Sequence, residues 1–233
     1  QVFRDMASIP RYLLTGKGVY ETHGGEAGAF IKSSVDKKIP DIQFFFMPVL
    51  VNDHGRDLKA LTDYGFSTHV TLLRPKSRGT LSLYNSDPLA APNIDLNMLS
   101  HTDDVTDLTA GVRKVREVYR ASAFDGHRDY EIYPGDDCQT DQEIEEFLRR
   151  KGNHAYHPAG TCKMGVDDMA VVDPSLRVHG LQGLRVVDAS VMPSLIGGNT
   201  NAPTIMIAEK ASDMILKAHE NSARFTYKTA GTA

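Results

Sequence analysis

Two short strings carry the residue types able to do chemistry. In Tyr156-His157-Pro158-Ala159-Gly160-Thr161-Cys162-Lys163-Met164-Gly165, a histidine sits between an aromatic residue and a proline, and small residues then turn the chain. Gly197-Gly198-Asn199-Thr200-Asn201-Ala202-Pro203-Thr204 leads into a strongly patterned helix. Imidazole changes charge near neutral pH, which makes His157 the candidate proton acceptor. An amide cannot act as a base, but it can hydrogen-bond a substrate oxygen and fix its orientation. Asn201, directly before Ala202-Pro203-Thr204, is the candidate for that role. It equally suits a helix N-cap, where asparagine is among the preferred residues, and the two roles can coexist. Asn199 reads as the more structural of the pair. A histidine before proline is more often structural than functional, and spacing alone leaves both readings of His157 open.

The rival chemistries are weaker. A metal centre on His154, His157 and Cys162 matches no common zinc spacing and lacks a fourth ligand nearby, so no metal is expected. His154 reads as a loop residue and Cys162 as a small buried filler. Asp53-His54-Gly55 are neighbours in a turn and carry no assignment. The basic run Arg74 to Arg78, interrupted by Pro75 and followed by Gly79, marks the end of one strand and the start of the next. No GxSxG string is present to supply a hydrolase nucleophile. A dinucleotide fingerprint, GxGxxG between strand and helix, is also missing. The nearest string, Gly16-Lys17-Gly18-Val19-Tyr20-Glu21, lacks the third glycine and reads as a turn entering the first strand.

The elements that must position these residues show in the hydrophobic periodicity. Ala29 to Lys32, Asp41 to Leu50, Phe66 to Leu73 and Gly79 to Leu83 are rich in β-branched and aromatic residues, separated by Gly, Pro and Asp clusters, and predict a mostly antiparallel sheet. From Thr102 to about Ala123 the period changes, with Val105, Leu108, Val112, Val115 and Tyr119 on one helical face. Thr140-Asp141-Gln142-Glu143 is a capping-box string, followed by Ile144, Phe147 and Leu148 at helical spacing and by Gly152 as a stop. Leu176 to Ala189 predicts a short hairpin or two strands around Gly180 and Gly183. Pro203 then starts a helix with the stripe Ile207, Ala211, Met214, Ile215 and Ala218, a position where proline loses no hydrogen bond. The tail from Asn221 is polar and small, which predicts fraying.

With 233 residues, 41% hydrophobic and 24% charged, the chain can bury a real core. A net charge of -4 and the absence of tryptophan and basic blocks give no support for a nucleic-acid role, so none is expected, and favour a small-molecule partner. No apolar run is long enough to predict a membrane span. The two cysteines, Cys138 and Cys162, read as free thiols suited to a reducing compartment. The expected location is the cytoplasm, with peripheral attachment to the inner membrane as the variant.

The two chemical strings, together with Leu73-Arg74-Pro75-Lys76-Ser77-Arg78-Gly79 and Leu184-Arg185-Val186-Val187-Asp188-Ala189-Ser190-Val191-Met192-Pro193, resemble the C-terminal part of the glucose-methanol-choline (GMC) family of flavin-dependent alcohol oxidoreductases. The resemblance implies an α/β (α+β) fold: a sheet-based substrate domain over 25–151 and a segment, 152–220, completing a Rossmann-like FAD-binding domain. Residues 1–24 would be a linker and 221–233 a flexible tail. The fingerprint-bearing N-terminal part of the same protein would then be the partner that completes the FAD site. FAD is the implied cofactor, with Tyr156, Asp188, Ala189, Asn199, Asn201, Ala202, Pro203 and Thr204 beside it and His157 and Asn201 as the catalytic pair. The helix N-terminus carries partial positive charge and would favour the reduced flavin's anionic ring edge.

The implied activity is oxidation of a non-activated primary alcohol. The Leu73 to Gly79 string leans toward bacterial alcohol and hydroxymethyl-oxidising enzymes rather than choline enzymes. Choline oxidation is the first alternative. A hydroxynitrile lyase with idle flavin and a chain inert by itself are the others.

Overall fold

The computed structural model describes residues 8–18, 21, 24–57 and 63–230, with 221–230 as backbone alone. It is a mixed α/β structure with small antiparallel sheets. Contacts divide the chain into two compact units, residues 1–78 with 97–153, and residues 79–96 with 154–233.

The first unit is built on a three-stranded antiparallel sheet of β1 (Ala27–Ile31), β2 (Ile42–Met47) and β3 (Ser67–Leu72), in the order β1-β2-β3. In β2 the sequence Ile-Gln-Phe-Phe-Phe-Met supplies the β-branched and aromatic side chains that suit a pleated surface. Register pairs Ala29 with Phe44 and Phe44 with Val70, so these residues share one face with Ile42. Helix α2 (Thr102–Tyr119) packs on that face. A Cβ at Gly111 would lie 2.6 Å from Val70 Cγ1, so glycine is what lets helix and sheet come this close. Ile42 is fully buried as a result.

Polar locks hold the connections of this unit. Asp104, 2% exposed, accepts hydrogen bonds from the N–H groups of Lys76 and Ser77, both at 2.8 Å, and from Ser77 Oγ. That fixes the segment following β3 to the start of α2. Asp41 accepts from Ser33 N at 2.7 Å and from Ser33 Oγ at 2.6 Å, while Lys37 Nζ bridges Asp41 and Asp107 at 3.2 and 2.6 Å. Burial by itself would raise the Asp41 carboxyl, but the Ser33 bonds and Lys37 outweigh it and hold it below the usual carboxylate range.

Helix α3 (Asp141–Lys151) starts with the expected capping box. Thr140 Oγ1 accepts from Glu143 N, and the Glu143 carboxylate accepts from Thr140 N at 2.8 Å. Its Ile144 and Leu148 bury against Val112 of α2.

The second unit is mostly irregular. A two-stranded ribbon, β4 (Thr80–Ser82) with β5 (Asn93–Asp95), precedes a long excursion through turns. The unit ends in helix α4 (Asn201–Ala230). Its core gathers Val172, Leu176, Val191, Met192, Ile207 and Ala211. Of the predicted α4 stripe, Ile207 and Ala211 are buried and Met214 packs against the core, whereas Ile215 is exposed.

Several expectations change. Residues Ile9–Thr15 form a short exposed helix, α1, where a linker was expected, and Gly16 at φ 65° ends it with its N–H on Tyr12 O. Val19 and Tyr20 of the Gly16 to Glu21 turn lie outside the described residues, as do residues 1–7 of the linker and 231–233 of the tail. Strand β5 was not anticipated. Leu176 to Ala189 folds back as a minimal hairpin, with Arg177 bridging Arg185 antiparallel, Val178 N on Leu184 O at 3.1 Å and Val186 N on Leu176 O at 3.2 Å, but it does not extend into two full strands. The cause is local turn chemistry: Asp173 Oδ1 accepts from Ser175 N and Arg177 N, and Leu176 takes φ 64°, which breaks the pleat. Helix α4 begins at Asn201, before Pro203, and its backbone stays helical past Asn221 to Ala230, where fraying was expected. Both cysteines are free thiols, and Cys162 is partly exposed instead of buried. Among the described residues no helix is long and apolar enough to cross a membrane.

Candidate active site

The segment carrying His157 is positioned by backbone hydrogen bonds to the turn Ala189–Val191. Cys162 N donates to Ser190 O at 3.0 Å and Met164 N to Val191 O at 2.8 Å. Gly160 at φ 90° makes the bend that permits this, and a side chain there would meet Met192 O. On the other side of Met164, Gly165 N donates to Val172 O at 3.0 Å. The turn itself is held by Asp188, whose Oδ1 accepts from Ser190 N at 2.8 Å and from Ser190 Oγ. Val191, fully buried, anchors the arrangement in the core.

The His157 ring is half-buried and contacted at both nitrogens. Nδ1 lies 2.8 Å from Thr200 Oγ1, and Nε2 lies 3.3 Å from Asn199 Nδ2. Thr200 is 8% exposed, whereas Asn199 is exposed. One ring nitrogen thus faces a buried hydroxyl and the other an exposed amide. This is a suitable arrangement for accepting a proton at the second nitrogen while the first is held.

Asn199, and not Asn201, is the asparagine brought within hydrogen-bond distance of His157. Asn201 is the exposed first residue of α4, so the N-cap position belongs to Thr200. Thr200 O accepts the first helical bond, from Thr204 N at 3.0 Å, and also accepts from Thr204 Oγ1 at 2.7 Å. Ala202 is exposed beside Asn201, and Pro203 and Thr204 are half-buried. Tyr156 takes φ 61°, is 63% exposed, donates its N–H to His154 Nδ1 at 3.2 Å and meets the His154 ring edge to face at 4.9 Å. Asp188 and Ala189 lie at the turn below His157's segment. Thr200 is the residue that sequence reasoning passed over. Its signal was Pro203, which has no N–H for a preceding threonine to cap.

Residues 75–208 match the family of GMC oxidoreductases. The chain belongs to the GMC oxidoreductase family. It is 47% identical over 204 residues to an oxygen-dependent choline dehydrogenase of Escherichia coli O127:H6, covering 88% of this chain and 36% of that protein. The same named protein of Ectopseudomonas mendocina is 46% identical over 205 residues, with the same coverage. The chain therefore spans about a third of the length of the curated relatives it matches. Among solved structures, pyridoxine 4-oxidase from Mesorbium loti superposes with a TM-score of 0.74 at 27% identity, covering 82% of this chain and 37% of that one. A fungal aryl-alcohol oxidase gives 0.66 at 31% identity, covering 78% and 28%. An Aspergillus oryzae formate oxidase, studied for FAD modification, shares the fold with a TM-score of 0.77 at 23% identity, covering 94% and 42%.

Proposed function

We propose that the complete protein oxidises a primary alcohol to an aldehyde with FAD as cofactor, His157 acting as base. The observation that carries the reading is the His157 ring, tied at Nδ1 to buried Thr200 and turned at Nε2 toward exposed Asn199. In the reaction, the substrate O–H bond breaks and its proton passes to His157 Nε2. The developing alkoxide oxygen is oriented by the Asn199 amide, and its electron density weakens the carbinol C–H bond. When bound, FAD supplies a hydride acceptor for the hydrogen and electron pair of that bond.

The residues present suit one edge of a flavin. At the first turn of α4, Asn201 and Ala202 are exposed and their N–H groups need no helical partner, so they offer donors and positive dipole charge to an electron-rich ring edge. Pro203 and Thr204 would shape that wall, and Asp188, Ala189 and Tyr156 would border the rest. The adenine and pyrophosphate cradle would come from the polypeptide beyond this chain, which the 36% span of the relatives supports.

Choline is the alcohol to test first. The 47% identity to choline dehydrogenases favours it over the uncharged alcohols toward which the Leu73 to Gly79 string leaned. The test is anaerobic addition of choline and a series of uncharged primary alcohols to the purified full-length flavoprotein. The flavin absorption should bleach, and at the lowest concentration with choline. A protein with stoichiometric flavin that no primary alcohol reduces would contradict oxidation and favour a lyase.

A further inference from the structure

We infer that Thr200 is a positioning residue that holds His157 in the tautomer protonated at Nδ1 and so keeps Nε2 as the accepting nitrogen, the one that takes the substrate proton. The inference rests on the reading of His157 as base and adds the device that makes it one. A neutral imidazole carries its single proton on either nitrogen, and the neighbour of one nitrogen decides what the other can do. On the Nε2 side the Asn199 amide nitrogen, a donor, lies at 3.3 Å, which suits an unprotonated Nε2, and this exposed side is the one a substrate can approach. Nδ1 faces a residue that is 8% exposed, with Oγ1 at 2.8 Å. A base at Nε2 therefore requires a hydrogen on Nδ1 and an acceptor to receive it, and Thr200 Oγ1 is the acceptor at that distance.

The local sequence explains why this hydroxyl is available. Thr200 immediately precedes α4, and a threonine there ordinarily turns its oxygen to the N–H of the second or third helical residue. The third helical residue is Pro203, which has no N–H. One of the two usual partners is therefore missing, and the hydroxyl lies at His157 Nδ1 instead. The backbone of Thr200 remains fixed, because its carbonyl accepts from both Thr204 N and Thr204 Oγ1. The same hydroxyl stays an acceptor when the ring becomes imidazolium, since Nδ1 carries hydrogen in both states. Proton transfer at Nε2 then needs no rearrangement behind the ring, which is the value of preorganised polar groups.

The experiment uses the full-length flavoprotein and compares Thr200→Val, Thr200→Ser and His157→Ala, alone and with Thr200→Val added to His157→Ala. The readouts are flavin content and the limiting rate of anaerobic flavin reduction across pH. Thr200→Val keeps the shape and should slow reduction about tenfold, the scale of one lost hydrogen bond. The fall in rate at acid pH should remain, because the imidazole is still present. Thr200→Ser should restore the rate to within about threefold of the parent, and Thr200→Val should add nothing to His157→Ala, as expected for residues acting as a unit. Flavin content should stay unchanged throughout. If His157→Ala is slow but Thr200→Val matches the parent, or Ser and Val behave alike, the positioning role is overturned while the base survives. If His157→Ala itself reduces flavin at the parental rate, both fall.

Discussion

The two units of this chain are stabilised in different ways. The first rests on regular ladders: three paired strands, a helix brought close by Gly111, and carboxylates at Asp41 and Asp104 that receive several donors each. Apart from the β4–β5 ribbon, the second relies on single bridges and turn bonds, and it is there that His157, Asn199 and Thr200 meet. A strand presents side chains at fixed alternating directions. A turn pinned at Ser190 and Val191 can aim one ring at a hydroxyl and an amide from another segment. Regular ladders thus stabilise one unit, while the proposed chemistry lies in the turns of the other.

Substitutions in the two cores should separate these roles. Ile42→Ala removes a fully buried β2 side chain that lies with Val70 beside Gly111 of α2, and should destabilise the full-length protein by about 2–4 kcal/mol in denaturant titration. The folded fraction should reduce its flavin at the parental rate. Val191→Ala removes less, about 2 kcal/mol, yet it loosens the turn to which Met164 is bonded and should slow flavin reduction as well. Equal kinetic effects of the two substitutions would erase the distinction.

A smaller effect sharpens the first half of the comparison. Asp41 is held below the usual carboxylate range, so its contribution to stability is complete above the unfolded value of about 3.9 and is lost as pH falls through the lower folded value. The difference in unfolding midpoint between the parent and Asp41→Asn should therefore be largest near neutrality and narrow below about pH 4. A gap that stays constant into acid would mean that the carboxylate contributes nothing to the Ser33 and Lys37 cluster.

What the sequence made legible follows the same division. Strands β1 to β4, helix α2 and the capping box of α3 were readable because period and caps are local signals. Strand β5 was missed since Asn93-Ile94-Asp95 has little β character, and its pairing comes from the facing strand. The hairpin expected after Leu176 is present but short, a single Arg177–Arg185 bridge, because Asp173 captured two backbone N–H groups that longer strands would have used. At the candidate site, His157 and the α4 entry were singled out by residue type, and the structure brings His157 beside the residues that precede α4. Which asparagine lies beside the ring depended on where α4 starts, and that was set by the Thr204 bonds to Thr200 O, which periodicity does not encode.

The most direct measurement is the rate of anaerobic flavin reduction by a primary alcohol in full-length His157→Ala, compared with Asn199→Ala across pH. Loss of the base should slow His157→Ala by roughly a hundredfold or more and remove the fall in rate at acid pH. Asn199→Ala should lose less, about one hydrogen bond, and keep that fall. A His157→Ala protein that reduces its flavin at a near-parental rate with the acid limb intact would contradict the account.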